Sequence, residues 1–401
     1  MKKFLAVLLA GILVLGIAMT ASAEEKTLKI GVACNATGWF SSFDANNWEE
    51  LVIYVDMLNE AGGLQIGEDT YKIELVLGDG QSDFAGMPTA CMDLVDKGVD
   101  VVFETNDFWM VDGNQILKDA GILTLSGYPD FAPGFWTDAD GNVNDCMVSC
   151  ANGAANDVVA LFSQCKELYP DVKTVMFVAN DDGAQAVRYE YIKKVGEELG
   201  FEVLEQYEAY DSSSPDMTAI AQKVAAAAPD AYIGQGVILN ICNLHSALAD
   251  IAPEIVCLAS CGKSADTVAA IIGDESKCNN IITVGPGFDK EKNTELMNTI
   301  FDALMEKFGA ETAYNFSGNF VNCMVTYKYI VEQTGTTDKE AFLEFWKNAE
   351  TLPSLYSDAA HLGGQESFNL DFNRMIVAPT PISVLQDGVG TFLGWYQYDV
   401  K

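Results

Sequence analysis

From Thr27 onward, short runs of apolar and β-branched residues alternate with longer stretches in which apolar positions recur every third or fourth residue. The short runs fit strands covered on both faces, and the recurrence fits helices laid against a core. TLKIGVAC (27–34) predicts a strand, NNWEELVIYVDML (46–58) a helix with Leu51, Val55 and Leu58 on one face, and YKIELVLGD (71–79) a second strand. A helix over 86–97, the strand DVVFE (100–104), a short helix ending near Ala120 and the strand GILTLSG (121–127) continue the order.

The same order restarts at Val172. TVMFVAN, FEVLEQYEAY, DAYIGQG and EIVCLAS read as strands, separated by helices over 187–199, 215–228 and 240–250. NIITVGPG adds a strand, helical stretches follow over 290–308, 314–334 and 338–349, and MIVAPTPISVLQ and TFLGWYQYDV close the chain as strands. Strands joined through single helices imply right-handed crossovers and parallel sheets. The expected fold class is therefore α/β, with two Rossmann-like lobes joined near 147–153 and facing one another across a cleft lined by loops at the carboxyl ends of the strands.

The first 23 residues stand outside this pattern. Lys2 and Lys3, an apolar run over 4–19 and the triplet Ala21-Ser22-Ala23 form a secretory signal peptide, cut before Glu24. No cysteine follows the run to carry a lipid anchor, and no later stretch is long and apolar enough to span a bilayer. The mature chain is thus expected to be soluble and exported. Its formal charge moves from −35 to −37 once two lysines are removed, which makes nucleic acid and anionic lipid poor partners. The acid is spread along the chain, as on a solvated surface.

Ten cysteines, at 34, 91, 146, 150, 165, 242, 257, 261, 278 and 323, are many for an exported protein. Five fall within helical or strand patterns, where a free thiol behaves as a small hydrophobe, although the even number also permits disulfides. Neither histidine, His245 or His361, has a second metal-type ligand nearby in sequence, so no metal and no cofactor is expected.

CLASCGKS (257–264) ends as a phosphate-binding loop ends, in Gly-Lys-Ser. Cys257 stands where such a loop needs its first glycine. The segment instead reads as the end of a strand, a turn, and a helix start near Ala265. Lys263 is there either as a cation offered to an anionic ligand or as a surface lysine at a helix start.

NEAGGL (59–64), followed by a strand ending in GDGQSD, is similar to the N-x-A-G-G-I signature of type I solute-binding proteins; Gly62 and Gly63 would end the helix in a left-handed turn. KIGVACNATGWFSSFD, GVDVVFETND, GILTLSG, TVMFVANDDG, PDAYIGQG and GQESFNLDFNR occur in the same order as similar segments of the branched-chain amino-acid group of ABC-transporter binding proteins. The resemblance covers nearly the whole mature chain. It implies two lobes with three crossovers closing like a hinge on a small solute, at 24–148 plus 286–365 and 149–285 plus 366–401. It also implies a monomer that delivers its solute to permease subunits.

The resemblance further implies which loops meet the ligand. Trp39 and Phe40 would form a wall over an apolar side chain or plug the lobe. Asn106, Asp107, Phe108 and Trp109 align with a carboxylate-binding turn, where the charge of Asp107 opposes a carboxylate. Tyr128 and Asp130 belong to the next contact loop. In the other lobe, Asp181 and Asp182 stand where a tyrosine is usual, Gly236 permits close backbone approach, and Cys261 replaces a glutamate that neutralises an ammonium, with Lys263 two residues on. A sensory receptor of the same fold is the alternative, and a hydrolase using Cys34, Cys146 or Cys261 a more distant one.

Overall fold

The computed structural model describes residues 25–104, 107–129, 146–151, 153–181, 183, 185–285, 289–363 and 375–398. The expected signal peptide lies outside them. The chain opens with β1 (Glu25–Cys34), α1 (Ser41–Glu60), β2 (Leu64–Ile66), β3 (Asp69–Asp79), α2 (Gly86–Asp96), β4 (Val101–Glu104), α3 (Asp107–Asp119), β5 (Leu123–Ser126) and β6 (Met147–Ser149). It crosses into α4 (Ala154–Leu168), β7 (Thr174–Asn180), α5 (Gln185–Leu199), β8 (Glu202–Val203), β9 (Glu208–Tyr210), α6 (Thr218–Ala227), β10 (Ala231–Gln235), α7 (Ile238–Ala249), β11 (Val256–Ser260), α8 (Ala265–Ile272) and β12 (Ile281–Val284). It then returns through α9 (Glu295–Phe308), α10 (Ala310–Ala313), α11 (Asn319–Thr334), α12 (Lys339–Asn348), β13 (Thr351–Ser354), β14 (Ser357–Gly363) and β15 (Met375–Val377). A last passage leads to β16 (Thr380–Gln386) and β17 (Val389–Tyr396).

These strands form two sheets. The first has the order β13-β14-β15-β6-β5-β4-β1-β3-β2 and the second β17-β16-β12-β11-β10-β7-β8, with β9 also on β7. Both centres are parallel, and antiparallel strands sit at the edges. Every residue of β4, β5, β10 and β11 is buried, because helices cover both faces. Alternate residues of one strand therefore feed two cores: Phe103 packs with α11, and Val102 with α2 and α3.

Gly62 and Gly63 adopt positive φ, as their sequence suggests, and the Gly63 N–H reaches back to the Leu58 carbonyl at 2.8 Å. A β-carbon at Gly63 would run into the Tyr71 carbonyl oxygen.

Three features differ from the sequence reading. FEVLEQYEAY breaks into β8 and β9, with Leu204–Tyr207 between them. The hairpin β13–β14 was not expected at all. MIVAPTPISVLQ is two strands in two lobes: β15 pairs with β6 and β14, and β16 with β12 and β17. The third crossover thus falls between Val377 and Thr380, not at 365/366. Pro379 has no N–H with which to continue a ladder, so the chain changes sheets there.

Candidate functional site

Where the carboxyl ends of the two sheets meet, a cleft of about 500 Å³, counting its open mouth, lies between the lobes. The first lobe contributes Phe43, Tyr128, Ser317, Asn319 and Tyr356; Asp157, Gly262, Val284 and Gly285 come from the second. Thr380 and Pro381, just past the last crossover, complete the wall.

The first-lobe wall is organised from α1. Asp44, Asn47 and Glu50 recur at every third position, on one helical face, and all are fully buried. A buried polar side chain needs a partner, and here the partners are backbone donors. Asp44 accepts the Asn35 N–H at 2.6 Å, Asn47 accepts the Asn319 N–H at 3.0 Å, and Glu50 accepts the Ser317 and Gly318 N–H groups at 2.9 and 2.6 Å. Asn47 and Glu50 thereby satisfy the amino end of α11, a role usually left to a local cap residue. The Tyr356 hydroxyl donates to the Ser317 carbonyl at 2.6 Å, so three cavity residues are fixed together.

In the second lobe, Asp157 lies in the first turn of α4 and is 3% exposed. It accepts the Ser260 hydroxyl at 3.3 Å and, from across the cleft, the Tyr128 hydroxyl at 2.8 Å. Gln235, beside Ser260 in the sheet, is buried with neither amide atom partnered.

CLASCGKS has the structure of a helix-entry loop. Ser264 caps α8 by accepting the Thr267 N–H, and the Lys263 carbonyl accepts the Thr283 hydroxyl at 2.8 Å. Gly285 packs against the Lys263 backbone, where a β-carbon would collide. Lys263 is only 4% exposed, which overturns the surface-lysine reading. Its ammonium crosses to the first lobe, 5.8 Å from the centre of the Phe43 ring, and donates a long bond of 3.5 Å to the Asn315 carbonyl. Burial lowers the Lys263 pKa, against the opposing pull of Glu50, Cys261 and Asp44. Burial pushes Glu50 up to about 8, opposed by its two N–H donors and by Lys263.

The remaining sequence candidates divide by position. Aromatic rings run from the rim to the cavity: Phe84 stacks on Trp109 at 4.4 Å, Trp109 meets Trp39 and Phe40 at 5.6 and 5.5 Å, Phe40 meets Phe43 at 5.4 Å, and Phe43 meets Tyr128 at 5.9 Å. Tyr128 lines the cavity, Phe40 stands one layer behind it, Trp109 is buried, and Trp39 is 52% exposed. Asp181 is exposed and accepts from Gln185 at 2.5 Å. Gly236 packs against Asn180 and the Tyr210 hydroxyl, away from the cavity lining. Cys261 is buried against Thr283 at 3.5 Å, and burial pushes its thiol up to about 11. Asn106, Asp130 and Asp182 lie outside the described residues, as do the side chains of Asp107 and Phe108, which begin α3.

Sequence reasoning missed Phe43, Glu50, Asp157, Ser317, Asn319 and Tyr356. The three-residue spacing of Asp44, Asn47 and Glu50 was the available signal; nothing in the sequence tied 317–319 or 356 to the cleft.

All ten cysteines are buried. Among the described residues no group of His, Cys, Asp and Glu is placed to hold a metal, and no helix is long and apolar enough to cross a membrane.

Residues 27–376 match the sequence profile of a family described as periplasmic binding protein. No curated protein sequence matches the chain. Among solved structures, leucine-binding protein LivK of Thermotoga maritima superposes with a TM-score of 0.72 at 17% identity, over 92% of this chain and 99% of its own. The branched-chain amino-acid binding protein LivJ of Streptococcus pneumoniae, solved with isoleucine, gives 0.70 at 16% identity over 93% and 99%. An ABC-transporter substrate-binding protein of Aeropyrum pernix gives 0.74 at 16% over 94% and 97%.

Proposed function

Because the chain belongs to the periplasmic binding protein family, we propose that it is the exported solute-binding component of an ABC importer, which captures a small amphipathic zwitterion, foremost an amino acid, by hinge closure. The solute then passes to a membrane permease. The observation that carries this reading is an acid on the cavity lining, Asp157, together with the Lys263 ammonium, which lies over the ring of Phe43, a residue of the same lining. In a water-poor cleft, Asp157 suits an α-ammonium and Lys263 an α-carboxylate, each as a charge-assisted bond. Phe43, Tyr128 and Tyr356 offer ring faces to an apolar side chain.

This arrangement supports amino-acid recognition despite Cys261. The acid absent from the loop after β11 is supplied from α4. The Lys263 ammonium is under-used: among the described residues it makes a single long hydrogen bond, although it has three donors. LivK and LivJ, whose names record leucine and isoleucine, favour the same ligand class. The reading includes cleavage of residues 1–23, a monomer, and no chemistry on the solute. Cys34, Cys146 and Cys261 are buried, and burial pushes the Cys261 thiol up to about 11, which speaks against the hydrolase alternative.

A thermal-shift screen of residues 24–401 against amino acids, carboxylates, amides and nucleotides tests the proposal. At 100 times its dissociation constant, a ligand adds about 2.7 kcal/mol of stability. Aliphatic or aromatic amino acids should raise the midpoint in wild type, with a weaker response in Asp157→Asn. A shift by nucleotides or neutral amides alone would contradict it.

A further inference from the structure

Glu50 is buried beneath the cavity wall and is absent from its lining. Both its oxygens are committed to the amino end of α11, so its carboxylate fixes Ser317 and Gly318, and through them the carbonyl held by Tyr356. Its link to the other lobe runs through one carbonyl: Ser317, held by Glu50, donates its hydroxyl to the Asn315 oxygen at 3.4 Å, and the Lys263 ammonium reaches that same oxygen at 3.5 Å. Lys263 meanwhile reaches over the Phe43 ring toward the Asn315 carbonyl, both on first-lobe elements. The two residues are not in direct contact, yet each is buried where a lone charge is costly.

We propose that Glu50 is a positioning residue of the cleft, which acts through Lys263 and the amino end of α11 rather than by touching the solute. Resting on the reading of the cleft as an amino-acid site, this makes the hold of the second lobe on the first depend on a buried acid in α1. The other groups that face the pair are accounted for. Glu49 adds weak repulsion to Glu50, Tyr356 is a neutral phenol, and Asp44 lends Lys263 a smaller attraction while bound to the Asn35 N–H. Cys261 stays a thiol. With Glu50 charged, Lys263 is drawn into the first-lobe socket with donors left for a carboxylate. With Glu50 neutral, the field that holds it there is lost.

The test is a double-mutant cycle of Glu50→Gln, Lys263→Met and the pair, titrated calorimetrically with L-leucine above pH 8, where Glu50 is charged. Each single variant should weaken leucine by about tenfold, and the pair by no more than either single. Wild-type affinity should also rise as pH passes through about 8, a rise that should be absent from Glu50→Gln. Independent, multiplying effects, or unaltered affinity in Glu50→Gln, would overturn the proposal. Small-angle X-ray scattering of the same four proteins reads lobe closure without any ligand. If no amino acid binds wild type, the functional reading fails separately, and the scattering still decides. The same opening in both single variants and no further opening in the pair supports the role of Glu50, and unchanged curves refute it.

Discussion

Replacing Glu50 with glutamine should make the protein relatively more stable as pH rises. Glu50 has an ordinary pKa of 4.5 and a folded-state value pushed up to about 8 by burial. Between those limits the native state keeps a proton that the unfolded chain has released, so stability falls as pH rises through the window. The interval, at about 1.4 kcal/mol per pH unit, sets a ceiling of about 5 kcal/mol. Relaxation around a buried charge reduces such figures, leaving about 2 kcal/mol as the expected gain of Glu50→Gln over wild type between about pH 5 and about pH 9. The amide also turns its NH2 against one of the Ser317 and Gly318 donors while its oxygen accepts from the other, but that penalty is independent of pH and cancels in the slope. The assay is urea unfolding of both proteins across this range, with Lys263→Met as a third. Removing the nearby cation should steepen the wild-type decline. A Glu50→Gln protein that loses ground with rising pH would refute the reasoning, because it would mean that the N–H donors and Lys263 outweigh the burial of the charge. A glutamate that costs stability and strengthens binding would be an instance of a site residue retained against the fold.

Other outcomes are expected from the same geometry. Asp157→Asn should weaken leucine binding by about 1.5–3 kcal/mol in calorimetry, as for loss of a charge-assisted bond, with Tyr128→Phe having a smaller effect through the 2.8 Å cross-cleft contact. Gln235→Met should raise the thermal midpoint, because a buried carboxamide with both atoms unpartnered costs about 1–3 kcal/mol; an unchanged or lowered midpoint would count against it. Gly63→Ala should destabilise by more than about 1 kcal/mol in denaturant titration, since its φ of +89° and the Tyr71 carbonyl both oppose a β-carbon. A thiol reagent should label almost none of the ten buried cysteines in the native protein and all ten after unfolding.

The two-sheet architecture was legible because its central strands are buried on both faces and so read as unbroken apolar runs, as in VVFE and VCLAS. The hairpin β13–β14 was not, since half of it faces solvent and its run is broken by Ser354, Ser357 and Asp358. The split at Pro379 shows a second limit: apolar pattern gives a strand its faces but not its sheet. The loops at the carboxyl ends of strands follow from topology, and the family resemblance pointed within them to Tyr128, Phe40 and the loop of Lys263. Asp157 and Glu50 carry no motif of their own: one is an acid in the first turn of a helix and the other an acid within a helical pattern. Their partners, 260 and 317–318, arrive from distant parts of the chain; the spacing of Asp44, Asn47 and Glu50 marks a polar face but not what that face meets.

On the proposed reading, the cleft binds a zwitterion through Asp157 and Lys263. The most direct measurement is calorimetric titration of the mature protein with L-leucine, with leucinamide, which lacks the carboxylate, and with 4-methylpentanoate, which lacks the ammonium. Leucine should bind in wild type, and each analogue should bind at least about tenfold more weakly; Lys263→Met should erase the difference between leucine and leucinamide, and Asp157→Asn that between leucine and 4-methylpentanoate. Equal binding of all three, or no binding of any amino acid, would contradict the claim.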